Sequence, residues 1–170
     1  MDSGKFVLSL LVNNESGVLT RISGLFARRG FNIDSLSVGE TQNRLVSRMT
    51  ILSTGDAYVR EQIVLQLQKL HDVMVVELMD LEKTVIREQL LVKVRAAPDT
   101  RGQALDAVTV FRAKVIDLAP DTMTMELTGE KDKLDAFITF LEPFGIIELC
   151  RTGITAIGRD GYVLAQQEKE

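Results

Sequence analysis

The residues best suited to chemistry lie in the stretch NNESGVLTRISGLFARRGFNIDSL, residues 13–36. Asn14 and Ser16 are residue types that cap helix N-termini, and Gly17 allows a tight turn in which no Cβ obstructs a ligand. Such a turn leaves backbone N–H groups unpaired at the positive end of a helix dipole, which suits a carboxylate or a phosphate. Phosphate-binding loops normally add further glycines or a lysine, and residues 13–20 contain neither. A carboxylate is therefore favoured, although helix capping alone also explains this loop.

The second half of the stretch adds an amide at Asn32, two residues after Gly30. An amide can orient an ammonium or a carboxylate group without adding net charge. Asn32 stands at the predicted start of a strand, where it could complete the ligand site of a partner chain across a dimer of sheet edges. A turn asparagine that follows a helix-ending glycine is the alternative explanation.

Groups that could catalyse a reaction are few. The single histidine, His71, comes at the end of a predicted helix, a position typical of a partner for the helix dipole or of a surface residue. The single cysteine, Cys150, lies in a strand-like run and is predicted to be a buried structural thiol. The sequence contains no GxGxxG, GxxxxGK[ST], HExxH or CxxC motif. We therefore predict no catalytic residue and no metal site in this chain.

The overall composition narrows the function classes. The 170 residues are 45% hydrophobic and 26% charged, and 20 basic residues against 24 acidic ones give a formal net charge of −4. Because no basic run occurs, duplex nucleic acid and anionic membrane surfaces are poor partners. The third predicted strand, residues 44–53, also lacks the aromatic residues on which RNA-binding domains of similar strand order stack bases. One cysteine and no long apolar stretch fit a protein of the cytoplasm.

The elements that position the loop follow a repeated plan. In the first half of the sequence, strands are predicted at residues 6–12, 31–38, 44–53 and 72–81, and helices at 18–29 and 57–70. Gly30 is predicted to end the first helix as a left-handed cap. Strand, helix, strand, strand, helix, strand is the order of a ferredoxin-like split βαβ unit.

The same order returns in the second half. Strands are predicted at residues 89–96, 114–119, 122–127 and 145–157, and helices at 101–112 and 131–141. We therefore predict an α+β protein of two ferredoxin-like βαββαβ modules with antiparallel sheets, residues 1–80 and 81–160, followed by a flexible tail, residues 161–170. Since both helices of such a module lie on one sheet face, each module should dimerise or pack on its copy to cover the other face.

These residues resemble a known family. The pattern Asn-x-x-Gly-x-Leu between the first strand and the first helix, here Asn14, Gly17 and Leu19, is similar to that of ACT domains. With the runs SRMTI, QLQKLHDV, LVKV and KDKLDAF, the sequence looks more closely like the regulatory (small) subunit of acetohydroxyacid synthase, also called acetolactate synthase. Many ACT domains have proline before the glycine, where this sequence has Ser16.

The resemblance implies an N-terminal ACT domain, a C-terminal ferredoxin-like domain and no catalysis by this chain. It implies a homodimer that binds a large catalytic subunit, which uses thiamine diphosphate, Mg²⁺ and FAD. The chain would raise the activity of that subunit and make it sensitive to feedback inhibition by valine, or by leucine or isoleucine. No cofactor is expected in this chain itself. A stand-alone ACT-type amino-acid sensor, or a regulatory domain of another biosynthetic enzyme, is the alternative.

Carried over by position, the resemblance implies an effector site shared by two ACT domains. One chain would supply Asn14, Ser16, Gly17, Val18 and Leu19, and the other chain would supply Asn32 and Ile33. The corresponding loop of the second module, APDTRGQAL, lacks the asparagine-to-glycine spacing, so no second effector site is expected there.

Overall fold

A computed structural model of the protein describes residues 4–164, which divide into two compact units. The first, here called the N-terminal unit, contains residues 4–85 and 154–164. The second, the C-terminal unit, is Ile86–Gly153. No helix among residues 4–164 is long and apolar enough to cross a membrane.

The N-terminal unit is a four-stranded antiparallel sheet with two helices. Its elements are β1 (Lys5–Asn13), α1 (Val18–Arg29), β2 (Ser35–Glu40), β3 (Val46–Thr54), α2 (Ala57–Gln68) and β4 (Val73–Leu78). The strand order is β2-β3-β1-β4, so β2 and β4 form the two edges. The central position of β1 follows from its sequence, because Phe6, Val7, Leu8, Ser9 and Leu10 are all apolar or small and are buried on both faces.

Both helices pack on the same face of this sheet. Alternate residues of β1 meet the apolar stripes of the helices in one core, formed by Phe6, Leu8, Leu10, Val12, Ile22, Phe26, Ile63 and Leu67 together with Met49 and Ile51 of β3. Each of these large side chains contributes about 1.5–3 kcal/mol on burial, so the core fixes the position of α1 on the sheet.

Glycines bound α1 at both ends. Gly17 is its N-cap residue with φ +85°, and Gly30 is its C-cap residue with φ +70°, a left-handed conformation that favours glycine. The N–H of Phe31 donates to the oxygen of Phe26 at 3.0 Å, which closes the last turn. The predicted helix at 18–29 and its end at Gly30 are confirmed.

The strand after α1 begins later than predicted. β2 starts at Ser35 instead of residue 31, and Asn32 is held by side-chain hydrogen bonds without strand pairing. The Asn32 side-chain amide donates to the Asp34 carboxylate, and the Ser53 hydroxyl donates to the main-chain oxygen of Asn32 at 2.6 Å.

The C-terminal unit repeats the plan. Its elements are β5 (Thr84–Arg95), α3 (Arg101–Phe111), β6 (Lys114–Leu118), β7 (Thr122–Gly129), α4 (Lys131–Leu141) and β8 (Ile146–Arg151), in the strand order β6-β7-β5-β8. Leu90, Val92, Met125, Leu134 and Phe137 are among the residues of its core. The prediction of two ferredoxin-like α+β modules is therefore confirmed.

The last predicted strand, residues 145–157, is two strands. It breaks at Gly153, which has φ +79°, and β9 (Thr155–Gly158) follows. Because residues 154–164 belong to the N-terminal unit, this division of the chain differs from the predicted boundary at residue 160. Of the predicted tail, Leu164 is buried, and residues 165–170 lie outside the described residues.

The prediction that Cys150 is buried is wrong, since its side chain is exposed. β8 is an edge strand of its sheet. Cys150 pairs with Leu91, whose neighbours Leu90 and Val92 point into the core, so Cys150 faces away from the helices.

The segment after Gly153 covers part of the helix-free face of the N-terminal sheet. The Ser37 hydroxyl donates to the oxygen of Ile154 at 2.7 Å, and the N–H of Ile154 donates to the Ser35 hydroxyl at 2.9 Å. The Arg48 guanidinium donates to the oxygen of Ala156 at 2.8 Å. The face that we expected a partner to cover is thus partly occupied by the chain itself.

Candidate functional site

The loop between β1 and α1 places Gly17, and no side chain, at the helix N-cap. Gly17 occupies the cap position itself, and no side chain accepts a hydrogen bond from the first turn of α1. The side chains of Asn14 and Ser16 therefore do not cap α1. Ser16 is exposed and lies in the turn that precedes Gly17.

Backbone donors at the start of α1 are open. The N–H of Val18 reaches the oxygen of Glu15 at 3.4 Å, and the N–H of Arg21 donates to the oxygen of Gly17 at 2.9 Å. Within residues 4–164, the N–H groups of Leu19 and Thr20 have no backbone or side-chain acceptor. They point out of the positive end of the helix dipole, where an anion is stabilised.

The Asn14 amide ties this loop to the β2–β3 hairpin. Its Nδ2 donates to the main-chain oxygen of Arg44 at 2.9 Å and approaches the Glu40 carboxylate at 3.4 Å. Its backbone N–H donates to the oxygen of Leu45 at 2.8 Å. Both side-chain hydrogens are used, and the Oδ1 of Asn14 has no donor among the described residues, which leaves it free to accept from an ammonium group.

The two apolar residues of the loop point in opposite directions. Val18 is 2% exposed and belongs to the core, so only its backbone can meet a ligand. Leu19 is 45% exposed and offers its side chain to solvent.

Arg21 is a polar residue at this loop that the sequence analysis missed. Its Nε lies 2.5 Å from the Oδ2 of Asp72, whose side chain is 13% exposed. The rest of its guanidinium lies beside Gly17, since a Cβ added to that glycine would be 3.0 Å from Nη1. The signal was not local, because Asp72 lies 51 residues further along the chain. His71, next to Asp72, is exposed as predicted for a surface residue.

Asn32 and Ile33 lie at the other end of α1. The 12 residues of α1 span about 18 Å, so one chain does not bring Asn32 next to Gly17. Asn32 is exposed, whereas Ile33 is half-buried against the core. The predicted site residues therefore form two separate groups within one chain.

Edge strand β2 connects these two groups. Its first residue, Ser35, follows Asn32 and Ile33, and its last residue, Glu40, lies against Asn14. β2 pairs with β3 on one side only, which leaves its other edge without a strand partner in the described chain.

A separate cleft of about 580 Å³ lies on the helix-free side of the N-terminal unit. It is lined by Leu11, Glu40, Asn43, Arg48, Ile157 and Tyr162, among others. Burial lowers the pKa of the Arg48 guanidinium, and its Nε has no hydrogen-bond partner in the described chain. Among residues 4–164, no group of histidine, cysteine, aspartate and glutamate side chains is arranged to hold a metal ion.

Comparison with known proteins identifies the family. Residues 87–160 match the family described as "Small subunit of acetolactate synthase", and residues 8–75 match the "AHAS small subunit-like ACT domain". The chain is 44% identical over 160 residues to the probable acetolactate synthase small subunit of Methanothermobacter thermautotrophicus, covering 94% of this chain and 95% of that protein. The chain belongs to the acetolactate synthase small-subunit family.

Further relatives support this assignment. The Mycolicibacterium smegmatis acetolactate synthase small subunit is 46% identical over 152 residues, covering 89% of each chain. The crystal structure of the acetolactate synthase small subunit from Thermotoga maritima superposes with a TM-score of 0.87 at 39% identity, covering 93% of this chain and 99% of that one. The protein is thus a small subunit with an ACT domain, the non-catalytic chain whose catalytic subunit is separate.

Proposed function

We propose that this acetolactate synthase small subunit activates its catalytic subunit and makes it sensitive to feedback inhibition by valine, or by leucine or isoleucine. The observation that carries the proposal is the β1–α1 loop, where Gly17 leaves the N–H groups of Leu19 and Thr20 open at the helix N-terminus. In an ACT domain of this family, that loop is the natural place for the carboxylate of a small amino-acid effector.

The polar groups of an α-amino acid fit the loop one by one. A carboxylate accepts from the open N–H groups of α1, and an ammonium donates to the free Oδ1 of Asn14. Glu40, 3.4 Å from the Nδ2 of Asn14, adds a negative charge on the ammonium side. An aliphatic side chain would contact the exposed side chain of Leu19.

A second copy of the chain completes the site. β2 runs from the Asn32 end of α1 to the Asn14 loop, so two β2 edges paired antiparallel about a two-fold axis place the start of one strand beside the end of the other. Asn32 and Ile33 of one chain would then face the Asn14–Leu19 loop of its partner. The homodimer explains why two groups separated by about 18 Å in one chain belong to one site.

Regulation follows from sharing the effector between two chains. A ligand bound across the interface favours the dimer arrangement to which it binds more tightly. The ligand can change the catalytic subunit only as far as its affinities for the two dimer arrangements differ. A coupling of about 1–3 kcal/mol is typical and changes affinity by about 5–150-fold. We infer that thiamine diphosphate, Mg²⁺ and FAD belong to the catalytic subunit, and that this chain supplies binding and coupling only.

Two measurements test the proposal. In a thermal-shift panel of the standard amino acids on the full-length chain, valine, leucine and isoleucine should raise the melting temperature, since they bind only the folded state. In the reconstituted holoenzyme, the chain should raise activity and valine should lower it. Binding without any effect on a catalytic subunit would instead indicate a stand-alone sensor. No shift with any aliphatic amino acid would contradict the proposed effector.

A further inference from the structure

The side chain of Arg21 lies over the loop that we propose to hold the effector. Arg21 is four residues after Gly17, and helical side chains lean back toward the N-terminus, so its guanidinium returns to the start of α1. A Cβ on Gly17 would lie 3.0 Å from Nη1 and 3.8 Å from Cζ. The space in front of Gly17 is therefore bounded by backbone donors on one side and by a cation on another.

Asp72 holds this cation in place. Its Oδ2 accepts from the Nε of Arg21 at 2.5 Å, and its main-chain oxygen accepts from the N–H of Asn13 at 2.9 Å. The Asp72 carboxylate is largely buried and fixed to the end of the sheet, which restricts the guanidinium to one orientation. The described chain gives the Nη groups of Arg21 no acceptor, so their N–H donors remain available to a ligand.

The charges are arranged across the loop in the order that a zwitterion requires. In the sheet order β2-β3-β1-β4, Glu40 ends β2 on one side of β1, and Asp72 precedes β4 on the other. Asn14 and Glu40 therefore lie on the first side and Arg21 lies on the second. The guanidinium of Arg21 would therefore face the carboxylate of a bound zwitterion, and Glu40 would face its ammonium group.

We propose that Arg21 recognises the α-carboxylate of the effector and that Asp72 is its positioning residue. This inference rests on the proposed function and adds the group that selects free amino acids over analogues that lack the carboxylate. A guanidinium fork binds a carboxylate with two parallel charge-assisted hydrogen bonds, a geometry that lysine cannot reproduce. Glycine at position 17 keeps the path between the N–H groups and the guanidinium open.

Calorimetric titration of the full-length chain with L-valine and with L-valinamide tests this role. Valinamide keeps the ammonium and the side chain but lacks the carboxylate. The wild-type chain should prefer valine, and Arg21→Gln should weaken valine binding by about tenfold to a hundredfold while valinamide binding stays the same. Asp72→Asn should reduce the preference in the same direction, and Lys114→Gln, which removes an exposed positive charge from the C-terminal unit, should keep the wild-type preference.

The role of Arg21 and the proposed function fail under different outcomes. If the wild-type chain binds valine and Arg21→Gln keeps the wild-type ratio of valine to valinamide affinity, the role of Arg21 is overturned and the proposed function stands. If the wild-type chain binds no branched-chain amino acid, the proposed function itself fails. Should Arg21→Gln not fold, Arg21→Lys retains the charge without the fork. A reduced ratio in that variant supports the inference, and an unchanged ratio overturns it.

Discussion

The side-chain nitrogen of Asn14 lies 2.9 Å from the main-chain oxygen of Arg44, which ties the proposed effector loop to the β2–β3 hairpin. The hairpin also contains Glu40, so a ligand that contacts Asn14 acts on the edge strand as well. A change at the loop therefore has a direct physical route to the edge at which we propose that two chains meet.

Asn14→Asp should loosen this hairpin. The substitution removes both N–H donors and places a second negative charge beside Glu40, so we expect backbone amides of residues 41–46 to exchange with deuterium about fivefold faster. Asn43→Asp is the matched control. The Oδ1 of Asn43 accepts a hydrogen bond from the N–H of Leu45 at 3.0 Å, and an aspartate keeps that acceptor. Equal exchange in the two variants would show that the Asn14 amide does not hold the hairpin.

Gly17→Asp should remove valine sensitivity and leave activation of the catalytic subunit intact. An aspartate there adopts a strained positive φ, and its carboxylate would meet the Arg21 guanidinium where we place the effector carboxylate. Gly102→Asp adds the same charge in the C-terminal unit at a glycine with open space around it. Holoenzyme assays with and without valine should show inhibition for Gly102→Asp and none for Gly17→Asp. Retained inhibition of Gly17→Asp would argue against the site.

Titration of the Tyr162 phenol should detect the contact between the segment after Gly153 and the N-terminal sheet. A hydrogen bond to Glu77, followed by burial, raises the pKa of the Tyr162 phenol above its ordinary value of about 10. The neutral phenol is favoured in the folded state, so this stabilisation is fully present below about pH 10 and is lost as the pH rises through the raised pKa. Tyr58→Phe leaves Tyr162 as the single tyrosine for an absorbance titration.

In that background, adding Glu77→Gln should lower the titration midpoint of the phenol. Gln keeps the size of the side chain and removes the negative charge that opposes phenolate formation. A midpoint that Glu77→Gln leaves in place would refute the contact.

Arg151→Ala should strongly destabilise the C-terminal unit. The guanidinium donates to both carboxylate oxygens of Glu88, at 2.5 and 2.9 Å, and to Asp135 at 2.7 Å. Because the Glu88 side chain is only 8% exposed, the variant leaves a buried charge uncompensated, at a cost of about 3–5 kcal/mol in the free energy of unfolding.

A pair on the surface of the same sheet provides the comparison. Lys93 lies 3.5 Å from the exposed Glu148 carboxylate, and Lys93→Ala should cost less than about 1 kcal/mol. Urea unfolding of both variants measures the difference. Similar losses for the two variants would mean that burial of Glu88 does not set the cost.

Local patterns in the sequence predicted most of the fold. The apolar spacing from Val18 to Phe26 predicts α1, and Gly30 predicts its C-terminal end, because helix periodicity and caps depend on neighbours within a few residues. The prediction of one strand at residues 145–157 is wrong because the positive φ of Gly153 interrupts it. The prediction that Cys150 is buried is wrong because β8 is an edge strand and Cys150 faces away from the helices, and neither property is local in the sequence.

The residues of the candidate site were likewise predictable only in part. Asn14, Gly17 and Asn32 stand out by residue type and spacing, and their positions relative to α1 follow from that helix. Arg21 did not stand out, because its partner Asp72 is distant in sequence and its role depends on a side chain returning to Gly17. A short stretch can therefore predict a loop, whereas the charges around it depend on how the sheet assembles.

We propose that each effector pocket combines the Asn14–Leu19 loop of one chain with Asn32 and Ile33 of another. Mixing Gly17→Asp chains with Asn32→Ala chains, after unfolding and refolding together, tests it most directly. Each variant alone should bind valine weakly or not at all, because every site of its homodimer carries the defect. In a mixed dimer one site carries both defects and the other carries neither, so calorimetry of an equal mixture should recover about a quarter of the wild-type binding capacity at wild-type affinity. A mixture that binds no better than the separate variants would contradict a pocket shared between two chains.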